Sequence, residues 1–202
     1  MLFRVASLAL SILAASAGFA AAQVEAPPAV SKTSGLELGV YLNGSALAIE
    51  NEDEVESGGG LGARLGYGFT DRFQIFAAVT AANVEYSDVD DTYALGHFDL
   101  GGRFSFGSTA AKLRPFVQAA VGGRAVSLDL GGETLDLRGA GFTGGAGLAY
   151  FLAPSVALDL GLDFTLGQFT EGRADGGDWE DLEDFEFDAQ TTRFNIGLAW
   201  HP

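Results

Sequence analysis

The chain has 202 residues, 48% of them hydrophobic, with 29 glycines, no cysteine and 27 acids against 11 bases for a formal charge of -16. The length fits one domain, and without cysteine no disulfide can hold the fold. The negative balance excludes nucleic acid as a partner, because such binding rests on Lys and Arg neutralising phosphates.

Residues 1–22 read as a secretory signal peptide. Arg4 supplies the positive start, an uncharged apolar run follows to Ala20, and Ala20, Ala21 and Ala22 are the small residues before a cut at Gln23. The run is too short for a spanning helix, which needs about 20 apolar residues. Residues 23–34, with Pro27 and Pro28, are expected to form an unstructured periplasmic leader, and 35–202 the folded domain.

From there the pattern is one of period-two alternation, repeated eight times. Leu36, Leu38, Val40 and Leu42 alternate with Glu37, Gly39, Tyr41 and Asn43. Leu61, Leu65, Tyr67 and Phe69 interleave with Gly62, Arg64, Gly66 and Gly68, and Phe73, Ile75 and Val79 with Gln74, Ala78 and Thr80. The fourth run sets Phe98, Leu100, Phe104 and Phe106 against His97, Asp99, Arg103 and Ser105. Runs headed by Leu113, Phe142, Val156 and Arg193 repeat the scheme. Each holds about the 9–11 residues of a tilted membrane strand, so the fold expected is all-β: an eight-stranded antiparallel up-and-down transmembrane barrel. A soluble sandwich also alternates, but its outward face would be freely polar. Here the polar face is mostly glycine, alanine and single charges, the mixture that fits a narrow lumen, while the other face is aliphatic and aromatic. Tyr67, Phe69, Phe104, Phe106, Tyr150, Phe164, Phe194 and Trp200 are the aromatics assigned to the membrane.

Connections alternate in length. Thr70-Asp71-Arg72, residues 107–112 and Ala153-Pro154-Ser155 are short; 50–57, 85–92, 129–137 and 168–189 are long and expected to be loops. Short turns belong to the periplasm and long loops to the outside, which predicts a bacterial outer membrane of the Gram-negative type with both termini periplasmic. The long connections carry 21 of the 27 acids. Glu52, Asp53, Glu54, Asp90, Asp91, Asp178, Glu180, Asp181, Glu183 and Asp184 are the candidate acidic surface. Solvation of an outer rim accounts for such a surface. Divalent cations bridging to lipopolysaccharide phosphates are a second use, although no ligand spacing defines a metal site.

The inward set is Glu37, Arg64, Asp99, Arg103, Arg114, Gln118, Arg124, Asp159, Asp163 and Arg193. An eight-stranded barrel is only wide enough for its side chains to fill it, so these charges must pair. That makes a plugged lumen the first reading and a narrow cation-preferring channel the alternative. Catalysis has little support, and no catalytic residue or cofactor is assigned: His97 has Asp99 on its face, but Ser105 lies eight residues along the strand, more than about 25 Å away.

The stretch Leu113-Arg114-Pro115-Phe116-Val117-Gln118-Ala119-Ala120-Val121-Gly122 resembles a strand of the small outer-membrane β-barrel superfamily, which includes the barrel domain of outer membrane protein A and the opacity-type proteins. Residues 156–164 are similar to its penultimate strand and 193–200 to its closing strand. The resemblance implies fold and location, outer-membrane lipid as the surroundings, and the barrel-assembly machinery as a partner that reads the terminal aromatic. Here Trp200 is followed by His201 and Pro202. A structural or surface-interaction role through the acidic loops is the function expected, with a lipid A-modifying enzyme of the same barrel size as a remote third.

Overall fold

In a computed structural model of the chain, the described residues are 31–49, 55–85, 92–129, 132–182 and 187–202; residues 1–22, expected to be a signal peptide, and most of the expected leader lie outside them. All their regular structure is strand. The strands are β1 (Gly35–Ile49), β2 (Val55–Gly68), β3 (Phe73–Glu85), β4 (Thr92–Ser105), β5 (Leu113–Asp129), β6 (Thr134–Ala153), β7 (Val156–Ala174), the two-residue β8 (Glu180–Asp181) and β9 (Phe187–Trp200). Neighbours pair antiparallel from β1 to β7, and β9 closes the sheet by pairing with both β7 and β1. The wall is therefore a closed barrel of eight strands, with β8 added to β7 outside the ring. Closure leaves no wall strand with an unpaired edge, which in hydrocarbon would be prohibitively costly.

The alternation sets the faces. Val40, Leu42, Leu61 and Val121 are more than 60% exposed, whereas Glu37, Tyr41, Phe116 and Arg193 on the other face are buried. Among the described residues 27 large hydrophobics are exposed on one continuous outer surface. No soluble domain tolerates so large an apolar face, and lipid accounts for it. The short turns are locally specified: the Thr70 hydroxyl accepts from the amides of Arg72 (3.2 Å) and Phe73 (3.0 Å), and Gly107 takes a positive φ of 87° that a side chain would resist. Pro115, without an amide hydrogen, is the third residue of β5 at the short-turn end.

Three expectations need correction. The strands run 13–20 residues in the ring, longer than the membrane alone requires. As a result the loops are shorter than their sequence looked: β2 begins at Val55, β3 continues to Glu85, β6 begins at Thr134, and most of the stretch 168–189 is strand. The reason is an inversion of polarity beyond the apolar band. At the long-loop end the inward side chains become apolar, as with Leu47, Val84, Leu95 and Val126, while outward positions become small or polar, as with Ser57, Asn83 and Ser127. A strand that leaves lipid for water must bury its apolar residues inside, as any soluble sheet does. Finally, residues 31–34 are not unstructured; they lie against the short-turn end through specific hydrogen bonds.

Candidate functional site

The lumen is filled in tiers. At the short-turn end Gln74 donates to Glu37 Oε2 (2.8 Å), and Arg114, 1% exposed, donates to the Thr33 hydroxyl (3.0 Å) and the Asp71 carbonyl. Phe116, Ala149, Phe151 and Ala157 pack beside them, and His201 stacks on Phe151 with ring centres 6.0 Å apart. The next tier joins Arg103 to Asp159 at 2.6 Å, with the Arg103 guanidinium 3.8 Å over the Phe116 ring. Gln118 connects the tier: its Oε1 accepts from Arg64 (3.1 Å) and Arg103 (3.3 Å), and its Nε2 donates to Asp163. Asn195 also donates to Asp163 (2.9 Å) and accepts from Asn43. Above them Arg193 pairs with Asp99 at 2.8 Å and reaches the hydroxyls of Thr165 and Thr80, while Thr143 donates to Asp99 (2.9 Å). Arg124 donates twice to the Ala189 carbonyl at 3.0 Å and lies over Phe169.

A cap of Leu47, Ala82, Val84, Tyr93, Leu95, Val126, Phe169 and Ala189 closes the lumen at the long-loop end. Between the two apolar ends the polar middle keeps a cavity of about 30 Å³, lined among others by Tyr41, Arg64, Asp159 and Asp163. That is room for about one or two waters. The narrowness has a backbone cause on β2, whose inward positions are largely glycine. A Cβ on Gly60 would stand 1.8 Å from the Ala81 carbonyl oxygen, so only glycine lets the two strands bend together there.

All ten inward residues named from the sequence lie in this interior, nine buried and Arg64 half-buried. His97 is buried among them, 5% exposed. The eight assigned aromatics are all on the exposed outer wall; Tyr67, Phe69, Phe104, Phe106, Tyr150 and Trp200 gather near the short-turn end, where Tyr67 meets Phe69 and Phe104 meets Phe106 edge to face. Of the acidic surface, Asp178, Glu180 and Asp181 are exposed beyond β7. Glu52, Asp53, Glu54, Asp90, Asp91, Glu183 and Asp184 lie outside the described residues. Glu56, counted with the first loop, instead accepts a hydrogen bond from the Tyr93 hydroxyl (2.7 Å).

One assembly at the long-loop end escaped the sequence reading. Arg138 on β6 pairs with Glu171 on β7, and Arg173 on β7 pairs with Asp136 on β6 at 2.8 Å. Trp179 lies against both guanidinium groups, its ring centre 4.0 Å from Arg138 and 4.6 Å from Arg173. The segment carrying Trp179 turns at Asp175 and Gly176, both at positive φ, and folds back along β7 through β8. Hydrogen bonds from Ser127 and Arg173 hold the Asp136 carboxyl below its usual range, and the hydrogen bond from Arg138 does the same for Glu171. The only sequence signal was two arginines among the acids, which looked like ordinary surface charge.

A closed eight-stranded barrel with an apolar outer wall and a filled polar interior is an integral outer-membrane barrel protein. The chain belongs to the family described as the outer membrane protein beta-barrel domain, which it matches over residues 7–201. That membership places it in the bacterial outer membrane. Among solved structures it is similar to Neisserial surface protein A, with 15% identity and a TM-score of 0.66 over 84% of this chain and 98% of that one. It is also similar to Ail, the attachment invasion locus protein of Yersinia pestis (10% identity, TM-score 0.55, 83% and 99% covered). A third is the outer membrane protein OprG from Pseudomonas aeruginosa (14%, TM-score 0.54, 86% and 100% covered). At such identities the likeness shows the fold alone. Among curated proteins, none matches the sequence.

Proposed function

We propose that this protein serves the outer membrane as a non-conducting, non-enzymatic barrel that acts through its acidic long-loop end. The observation that carries the reading is the filled lumen: paired charges in the middle, an apolar cap above, and about 30 Å³ of free space between. A channel would need a continuous wet path, and the cap opposes one. An enzyme acting on lipid would need its groups on the outer wall, whereas His97 faces inward and is buried.

In the proposed orientation both termini and the short turns are periplasmic and the acidic end is external. The rim then faces lipopolysaccharide, with divalent cations between its carboxylates and the lipid phosphates, and the assembly machinery is a partner during biogenesis. A surface of this sign favours cationic partners and repels polyanions.

The test is complementation of a strain lacking the protein. Wild type and a variant with Asp178, Glu180, Asp181, Glu183 and Asp184 changed to Asn or Gln are compared for resistance to detergent, with and without added magnesium. The expected result is magnesium-dependent protection by wild type and at least a tenfold weaker effect from the variant. Equal protection by both would remove the acidic surface from the function.

A further inference from the structure

We propose that residues 31–34 form a strap that shuts the short-turn mouth of the lumen. The bonds run from one side of the mouth to the other. The amides of Thr33 and Ser34 both donate to Asp71 Oδ1 at 3.2 Å, and the Thr33 hydroxyl donates to the Asp71 carbonyl at 2.8 Å, which ties the strap to the β2–β3 turn. The Lys32 amide donates to Pro154 O (3.0 Å) on the β6–β7 turn. The Ser31 amide (2.7 Å) and hydroxyl (2.9 Å) both donate to Thr109 O on the β4–β5 turn. In the ring order β5 lies opposite β1, so a segment continuous with β1 that reaches this turn crosses the opening.

The side chains agree with that path. Ser31 and Thr33 are 1% and 4% exposed and point inward, while Lys32 points out and donates from Nζ to the carbonyl of Pro202 at 2.8 Å. Beneath the strap, Gln74 donates to Thr33 O (3.2 Å) and Arg114 to the Thr33 hydroxyl (3.0 Å), so the strap completes the hydrogen bonding of buried lumen groups. Its partners are 38, 78 and 170 residues away in sequence. Its full set of bonds exists only where three hairpin turns and Pro202 stand together, at the mouth of the closed barrel. The strap is therefore a latch on the finished barrel, and its loss opens the lumen from below without removing a wall strand.

The absence of native cysteine makes single thiols clean reporters. Gln74→Cys, under the strap, and Ala199→Cys, which leaves every strap bond intact, are placed in the full chain folded in lipid vesicles. Each is labelled with a charged, membrane-impermeant methanethiosulfonate, with the strap intact and in two released forms: Asp71→Ala with Thr33→Val, and deletion of residues 31–33. Folding is verified for each by the heat-dependent shift in electrophoretic mobility. The latch requires at least tenfold faster labelling of Ala199→Cys in a released form than with the strap intact, and of Gln74→Cys likewise. Equal rates in the folded intact and released forms, or rapid labelling of Ala199→Cys with the strap intact, would overturn it.

Discussion

Inside the barrel the ion pairs Arg103–Asp159 and Arg193–Asp99 sit beside charges held by neutral groups: Arg114 on oxygens of Thr33 and Asp71, Arg124 on the Ala189 carbonyl, and Glu37 on Gln74. Burying an ion pair costs desolvation that the attraction roughly offsets, but removing one member leaves a bare charge, at about 3–5 kcal/mol. Asp159→Ala should therefore destabilise the barrel by about that amount in urea unfolding, with Arg103 left uncompensated. The double change to Asp159→Leu with Arg103→Met should recover most of the loss; a single variant as stable as wild type would show that the pair contributes nothing. The inward glycines are tested at the same level. Gly60→Ala sets a methyl against the Ala81 carbonyl and should cost about 1–3 kcal/mol or more, whereas Gly44→Ala, with open space around its Cβ, should be close to neutral. Comparable costs at the two sites would contradict the account of β2. These residue roles were partly open to sequence reading: pairing is expected of all the inward arginines and carboxylates, but only Arg103–Asp159 and Arg193–Asp99 form ion pairs, while Arg64, Arg114 and Arg124 take neutral oxygens that strand register brings within reach, and Gln118 as the hub of Arg64, Arg103 and Asp163 had no marker of its own.

Along each strand, the faces follow from a single rule while the strand is in lipid. Leu36 to Leu42 and Val156 to Leu166 show that rule without interruption. It fails at the long-loop end, where Leu47, Leu95 and Val126 turn inward and Asn83 and Ser127 outward. A pattern of apolar residues facing lipid cannot be extended through that inversion, so the sequence reads as loop where the strands continue. The clasp of Trp179, Arg138 and Arg173 belongs to this exposed extension. Its cation–π contacts are worth about 1–2 kcal/mol together, so Trp179→Ala should speed amide exchange at Gly177 and Leu182 several-fold and leave the wall strands unchanged. Exchange unaltered at these amides would mean that the ring does not hold the segment. Acid acts on the same clasp through Asp136 and Glu171, whose carboxyls sit below their usual range. Their support is complete above the usual carboxylate pKa of about 4 and is lost as pH falls through the lower folded values. In a Trp200→Phe background, leaving Trp179 as the only tryptophan, fluorescence should stay constant from neutral pH to about 5 and change below about 4. A transition near neutrality would point to other groups.

For the molecule as a whole, three independent features converge: a closed ladder, an apolar outer wall and a filled interior. The first two were legible because period-two alternation and the spacing of turns are local properties. The seals at the two ends were not, since the apolar cap joins side chains from six strands and the strap joins residues 31–34 to three turns. Only the closed fold brings them together. In the proposed reading they make the lumen a compartment rather than a path, which leaves the acidic end as the proposed functional surface. Planar-bilayer recording of the purified, folded protein tests this claim most directly. The account predicts no steady conductance above the bare bilayer across ordinary voltages and salt; a stable open state favouring cations would contradict it.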